Sequence, residues 1–66
     1  MKVICNGEEQ EVRAECTVSE LIVSLGLKPE TVVVECDAVI LKPDEYSTRQ
    51  LHEGSRLELI RFVGGG

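Results

Sequence analysis

Apolar residues along this 66-residue chain fall into short runs of two different periods, separated by turn-forming residues. Lys2 to Cys5 is β-prone and stops at Asn6-Gly7, a dipeptide in which both residues tolerate positive φ and which favours a tight hairpin. A second strand through about Val12 is predicted to pair back on the first. Thr17-Val18-Ser19-Glu20 has the form of a capping box, with the Thr17 hydroxyl accepting from the amide of residue 20 and the Glu20 carboxylate accepting from that of residue 17. The helix starting there carries Val18, Leu21, Ile22 and Leu25 at i, i+3, i+4 and i+7, and Gly26 and Pro29 end it. At about two turns it depends on tertiary packing.

Thr31 to Cys36 is rich in β-branched residues, Asp37-Ala38 makes the next turn, and Val39 to Leu41 is a short strand ending before Pro43, which gives a second hairpin. Residues 43 to 53 lack apolar periodicity and read as an irregular crossover with one short helical turn around Asp44 to Tyr46. Glu53-Gly54-Ser55 then turns the chain into a last strand, Arg56 to Val63. One helical stripe needs one sheet face to cover it. The predicted class is therefore α+β: a single-domain, ubiquitin-like β-grasp, with a mixed sheet of about five strands wrapped on one helix. Period two along strands and the helical stripe give the expected core as Val3, Cys5, Val12, Val18, Leu21, Ile22, Leu25, Val32, Val34, Cys36, Ile40, Leu57 and Leu59.

The β-prone end runs straight into Gly64-Gly65-Gly66. Glycine maximises chain entropy and buries nothing, so this segment does not serve stability. The expected division is a domain over residues 1–63 and a flexible glycine tail over 64–66, an arm reaching roughly 10 Å at ~3.3 Å per residue. With no Cβ near it, an activated carboxyl on Gly66 would be open to attack.

Twelve acidic against seven basic residues give a formal charge of -5, which opposes phosphate-backbone binding and argues against a nucleic-acid partner. No apolar run approaches a membrane span, and the opening MKVICNGEEQ is unlike a signal peptide, so the expected location is cytoplasmic, with no membrane association. Cys5, Cys16 and Cys36 are odd in number and lack a Cys-x-x-Cys pair, which suggests neither a disulfide framework nor a metal site. Cys5 and Cys36 are expected in the core. Cys16 precedes the helix and is expected to be partly exposed, near a positive helix end that would lower its pKa; an incidental surface thiol is the favoured reading over a sulfur relay. His52 beside Glu53 and the Asp44-Glu45 pair read as loop surface.

Lys2-Val3-Ile4-Cys5-Asn6-Gly7, Thr17-Val18-Ser19-Glu20-Leu21, Glu53-Gly54-Ser55-Arg56-Leu57-Glu58-Leu59 and the ending Phe62-Val63-Gly64-Gly65-Gly66, in that order over the whole chain, resemble the ThiS/MoaD family of bacterial sulfur carriers, in its thiamin branch. Asp37-Ala38 departs from the Asn-Gly-like turn common there, and Ser55 from an Asp. The resemblance implies a protein co-substrate rather than an enzyme, with no catalytic residue and no bound cofactor of its own. A ThiF-like adenylyltransferase would use ATP and Mg to join the Gly66 carboxylate to AMP. A persulfide donor, typically a cysteine desulfurase product, would displace AMP and leave a Gly66 thiocarboxylate. The sulfur would then pass to the thiazole of thiamin on a ThiG-like thiazole synthase. Sulfur supply to molybdopterin or an amino acid, a ubiquitin-like modifier, and a non-covalent binding module are the rival roles.

Within the last strand, Leu57 and Leu59 share the core parity, leaving Ile60 and Phe62 on the opposite face, with Ile4 outward on the neighbouring first strand. Outward apolar side chains beside a working tail invite a docking partner. Gly64 and Gly65 would thread the tail into that partner.

Overall fold

The computed structural model describes residues 1–61. Phe62, Val63 and Gly64 to Gly66, and with them the end of the predicted last strand and the expected tail, lie outside the described residues. Strands β1 (Lys2–Cys5) and β2 (Glu8–Glu11) form the first hairpin, and helix α1 (Val18–Ser24) follows. Strands β3 (Val32–Cys36) and β4 (Val39–Ile40) form the second hairpin, and β5 (Arg56–Arg61) closes the sheet. The five strands lie in the order β2-β1-β5-β3-β4. The last strand is thus central, parallel to β1 and antiparallel to β3. This is the β-grasp arrangement predicted from the element order. Single 3-10 turns occupy Pro29–Thr31 and Pro43–Glu45, the second matching the helical turn expected in the crossover.

Both hairpins turn as their sequences require. Asn6 and Gly7 have φ of 51° and 81°, and Asp37 and Ala38 have φ of 49° and 70°. Glycine and asparagine take this region cheaply, whereas alanine brings its Cβ against the following carbonyl. Ala38→Gly is expected to stabilise the domain by about 0.5–1 kcal/mol, the relief of the left-handed penalty less the extra freedom of glycine in the unfolded chain. Thermal and urea unfolding of the two proteins measure it; an unchanged midpoint would mean that the turn holds no strain.

The capping box on α1 forms with both arms: Glu20 N–H donates to Thr17 Oγ1 at 3.2 Å, and Thr17 N–H donates to Glu20 Oε1 at 2.9 Å. Arg13 adds an ion pair to the same carboxylate. The Thr17 backbone donor first, and then the Arg13 side chain, hold the Glu20 carboxyl below its ordinary range. A folded-state pKa below the unfolded one adds stability above the unfolded pKa, and that stability is lost as the pH falls through the folded one. The melting temperature of Glu20→Gln should therefore fall below that of the parent at neutral pH, with the gap closing on acidification. A gap that persists at acid pH would point to a neutral packing role instead.

Val18, Leu21 and Ile22 from the helix pack with Val3, Cys5, Val32, Val34, Cys36, Leu57 and Leu59 of the sheet in one core. Three predicted core residues are not among its buried members. Leu25, 38% exposed, is the C-cap of α1, one residue past the last turn that faces the sheet. Ile40, 67% exposed, pairs with Glu35 and so lies on the outward face. Val12 is only partly buried against the core. Four apolar residues outside the predicted core, Cys16, Leu41, Tyr46 and Leu51, are buried. Tyr46 enters from the crossover and its hydroxyl donates to the Val32 carbonyl at 2.9 Å, so the buried phenol has a partner.

Candidate functional site

Strand β5 alternates cleanly. Leu57 and Leu59 point into the core, while Arg56, Glu58 and Ile60 stand on the opposite face, which no other element among the described residues covers. Three loops fix where β5 begins and how it runs. Ile4 N–H donates to the Ser55 carbonyl at 2.8 Å, and Ser55 Oγ accepts from His52 N–H at 2.8 Å, which accounts for a buried serine at the strand entry. Asn6 N–H donates to the Leu57 carbonyl at 2.9 Å, and its Oδ1 accepts Leu59 N–H at 2.8 Å. Where β1 ends, the Asn6 side chain thus supplies the next rung of the parallel ladder. On the other side Asp37 N–H donates to the Arg56 carbonyl at 2.8 Å, and Asp37 Oδ1 accepts Arg56 N–H at 3.0 Å. The two hairpin turns therefore clamp the strand that leads toward the terminal glycines.

Of the residues predicted for docking, Ile60 is 58% exposed and Ile4 half-buried on the same face. Register brings two more beside them: Val33, outward by the same parity, opposite Ile60, and Ile40, expected in the core, opposite Glu35. The signal for Ile40 lies in the two-residue Asp37-Ala38 turn, which sets Cys36 opposite Val39 and sends Ile40 outward. Phe62, Gly64, Gly65 and Gly66 lie outside the described residues.

The thiols are elsewhere and muted. Cys16, expected near the surface with a lowered pKa, is buried, only 5% exposed, and its thiol lies 3.4 Å from the Thr17 carbonyl. Burial, with the Glu20 charge second and Arg13 opposing, pushes its pKa up rather than down. Cys5 and Cys36 are buried as expected, and burial raises both. Among the described residues no group of His, Cys, Asp and Glu is arranged to hold a metal ion, and no helix is long and apolar enough to cross a membrane. His52 and Asp44 are exposed on the loops.

A clamped central strand, outward isoleucines on its open side among the described residues and a run of glycines further along the sequence form a recognisable combination, and the model of the ThiS family matches residues 3–66. The chain belongs to the ThiS family. It is 36% identical over 66 residues to a thiazole synthase of Paramagnetospirillum magneticum, a match that takes in 100% of this chain and 20% of that one. A thiazole synthase of Magnetococcus marinus is similar, at 35% identity and the same coverage. The chain thus spans about a fifth of the length of these curated relatives. The sulfur carrier protein ThiS of Bacillus subtilis is 29% identical over 62 residues, 92% of this chain and 94% of that one. The crystal structure of the thiamine biosynthesis protein ThiS from Geobacter metallireducens superposes with a TM-score of 0.83 at 28% identity, covering 100% of both chains. That ThiS structure carries the same β-grasp arrangement.

Proposed function

We propose that this ThiS-family chain is a sulfur carrier for the thiazole of thiamin and that Gly66 is the residue that carries the sulfur. The observation that supports this most directly is a β-grasp whose central strand is clamped by both hairpins and leads toward three consecutive glycines. A free carboxylate is a poor electrophile. A ThiF-like adenylyltransferase, using ATP and Mg, would attach AMP to the Gly66 carboxylate with release of pyrophosphate, and the charge stabilisation would belong to that enzyme's site. The terminal sulfur of a persulfide, supplied by a cysteine desulfurase or another donor, would attack the acyl carbon and expel AMP. A thiol would then cleave the S–S bond, leaving the thiocarboxylate on Gly66 and a disulfide on the donor. A ThiG-like thiazole synthase is the proposed acceptor, a reading favoured by the likeness to a segment of two thiazole synthases.

In this reading the chain is a co-substrate without catalytic residues. Residues 1–63 form the body, Gly64 and Gly65 thread into the partner, and Ile4, Ile60 and Phe62 dock against it. Incubated with adenylyltransferase, ATP, Mg and a persulfide source, the chain should gain the mass of one oxygen-for-sulfur exchange, mapped by fragmentation to residue 66 and resistant to reductant. A persulfide on Cys5, Cys16 or Cys36 would instead add a whole sulfur and be removed by reductant, and that outcome would overturn the proposal.

A further inference from the structure

Asn6 and Asp37 hold equivalent places at the first position of the two hairpin turns, with φ of 51° and 49°. Each sends its Oδ1 out of its own hairpin to an amide of β5: Asp37 accepts from Arg56 N–H at 3.0 Å, where the strand begins, and Asn6 from Leu59 N–H at 2.8 Å, toward its end. A two-residue turn of this kind accepts glycine at that position as readily as asparagine or aspartate. The turns alone therefore do not require a side-chain oxygen, and the Asn6 bond reaches 53 positions along the chain.

The two sides of β5 are held unequally. β3 pairs with it from Leu57 to Arg61, whereas β1 pairs only with Arg56 and Leu57 before the chain turns away at Asn6. Along residues 58–61 the Asn6 carboxamide is the one side-chain hydrogen-bond partner among the described residues, and it holds the strand on the side that β1 has left. Asn6 is itself exposed and outside the core, so packing does not explain its identity. Without its Oδ1 the end of β5 would be fastened along one edge only and would swing about the β3 ladder.

We propose that Asn6 is a positioning residue for sulfur loading: its carboxamide, acting through Leu59 N–H, fixes the direction in which β5 presents the residues that follow it to the loading enzymes. The inference rests on the carrier reading above and deepens it. Asn6 touches no reacting atom. Its effect is on the fraction of docked carriers whose terminal carboxyl is correctly aimed, and rates are steep in such alignment. Val33 still pairs with Ile60 from the β3 side, so docking itself does not depend on the bond.

The test uses the full chain with adenylyltransferase, ATP, Mg and a persulfide source. Asn6→Gly suits the positive φ and deletes Oδ1, Asn6→Asp keeps Oδ1, and Glu20→Gln weakens the fold at the helix cap, away from β5. Sulfur gain at residue 66 is followed at varied carrier concentration, below the melting temperature of every chain, alongside backbone amide exchange. In Asn6→Gly the Leu59 amide should exchange faster, and kcat should fall at least about threefold while KM stays within about twofold. Asn6→Asp should bring kcat back to within about twofold of the parent, and Glu20→Gln should keep the parent kcat although it melts earlier. A parent kcat in Asn6→Gly despite faster Leu59 exchange would make the bond structural only, overturning the positioning role and leaving the carrier reading intact. An equal loss of rate in Glu20→Gln would tie the rate to stability, a rise in KM alone would make Asn6 a docking contact, and failure of Asn6→Asp to rescue would take the effect away from Oδ1. Each of these overturns the role as well. A parent that gains no sulfur at residue 66 would overturn the carrier reading and the role with it.

Discussion

Leu57→Ala is expected to cost about 3 kcal/mol, within the 2–5 kcal/mol range for truncating a buried leucine. Leu57 is 2% exposed on the central strand, where it sits beside Cys5 on one neighbour and Cys36 on the other. Those small side chains cannot swing in to fill the space, so most of the cavity would persist. A chain of this size has a total stability of only about 3–10 kcal/mol at roughly 0.05–0.15 kcal/mol per residue. The variant should therefore lose between about a third and all of the fold's stability. Urea denaturation followed by circular dichroism measures the loss. Ile60→Ala, three residues along the same strand but on the open face, should change stability by no more than about 0.5 kcal/mol while weakening the adenylyltransferase complex by about 1–3 kcal/mol. If the two substitutions destabilise the fold equally, β5 does not alternate between core and partner faces as described.

That contrast follows from period two, which is legible in the amino-acid sequence, as are the helix, both hairpins and the element order that gives the β-grasp. The departures have physical causes. Ile40 looks more like a core residue than Val39, but the hairpin register, not side-chain hydrophobicity, decides which way each of them faces. Tyr46 and Leu51 are isolated apolar residues in an irregular crossover, so no period announces them. They are buried because the crossover is tied down by backbone bonds from Ser19 N–H to the Tyr46 carbonyl at 2.8 Å and from Leu51 N–H to the Cys16 carbonyl at 2.8 Å. The second of these bonds also draws Cys16 inward, although its place just ahead of the helix cap predicts a surface thiol. On the site, Ile60 and Ile4 are legible from strand parity. Val33 is outward by the same parity, but its place beside Ile60, like the outward turn of Ile40, emerges only through strand pairing, because sequence alone does not say which strand lies beside β5. The same pairing is what brings Glu35 opposite Glu58 from positions 23 residues apart in the chain.

Removing Gly65 and Gly66 should abolish the sulfur gain altogether while leaving the domain folded. The core described above is assembled from side chains between Val3 and Leu59, and glycine has no side chain to add to it. The melting temperature of the truncated chain is therefore expected to match that of the parent, with a stability change within about 0.5 kcal/mol. The adenylyltransferase should still bind it, because the proposed contacts of Ile4, Ile60 and Phe62 remain, and the truncated chain should act as a competitive inhibitor of sulfur transfer to the parent. A Gly66→Ala chain separates two explanations of the loss. It keeps a carboxylate at the right distance but places a methyl group beside the acyl carbon, so it should bind normally and be adenylated slowly. Mass spectrometry with the parent, the truncated chain and Gly66→Ala in parallel gives the answer directly. If the truncated chain still gains sulfur, the attachment point is not Gly66, and the assignment of the carrier site fails even though the fold and its family stand.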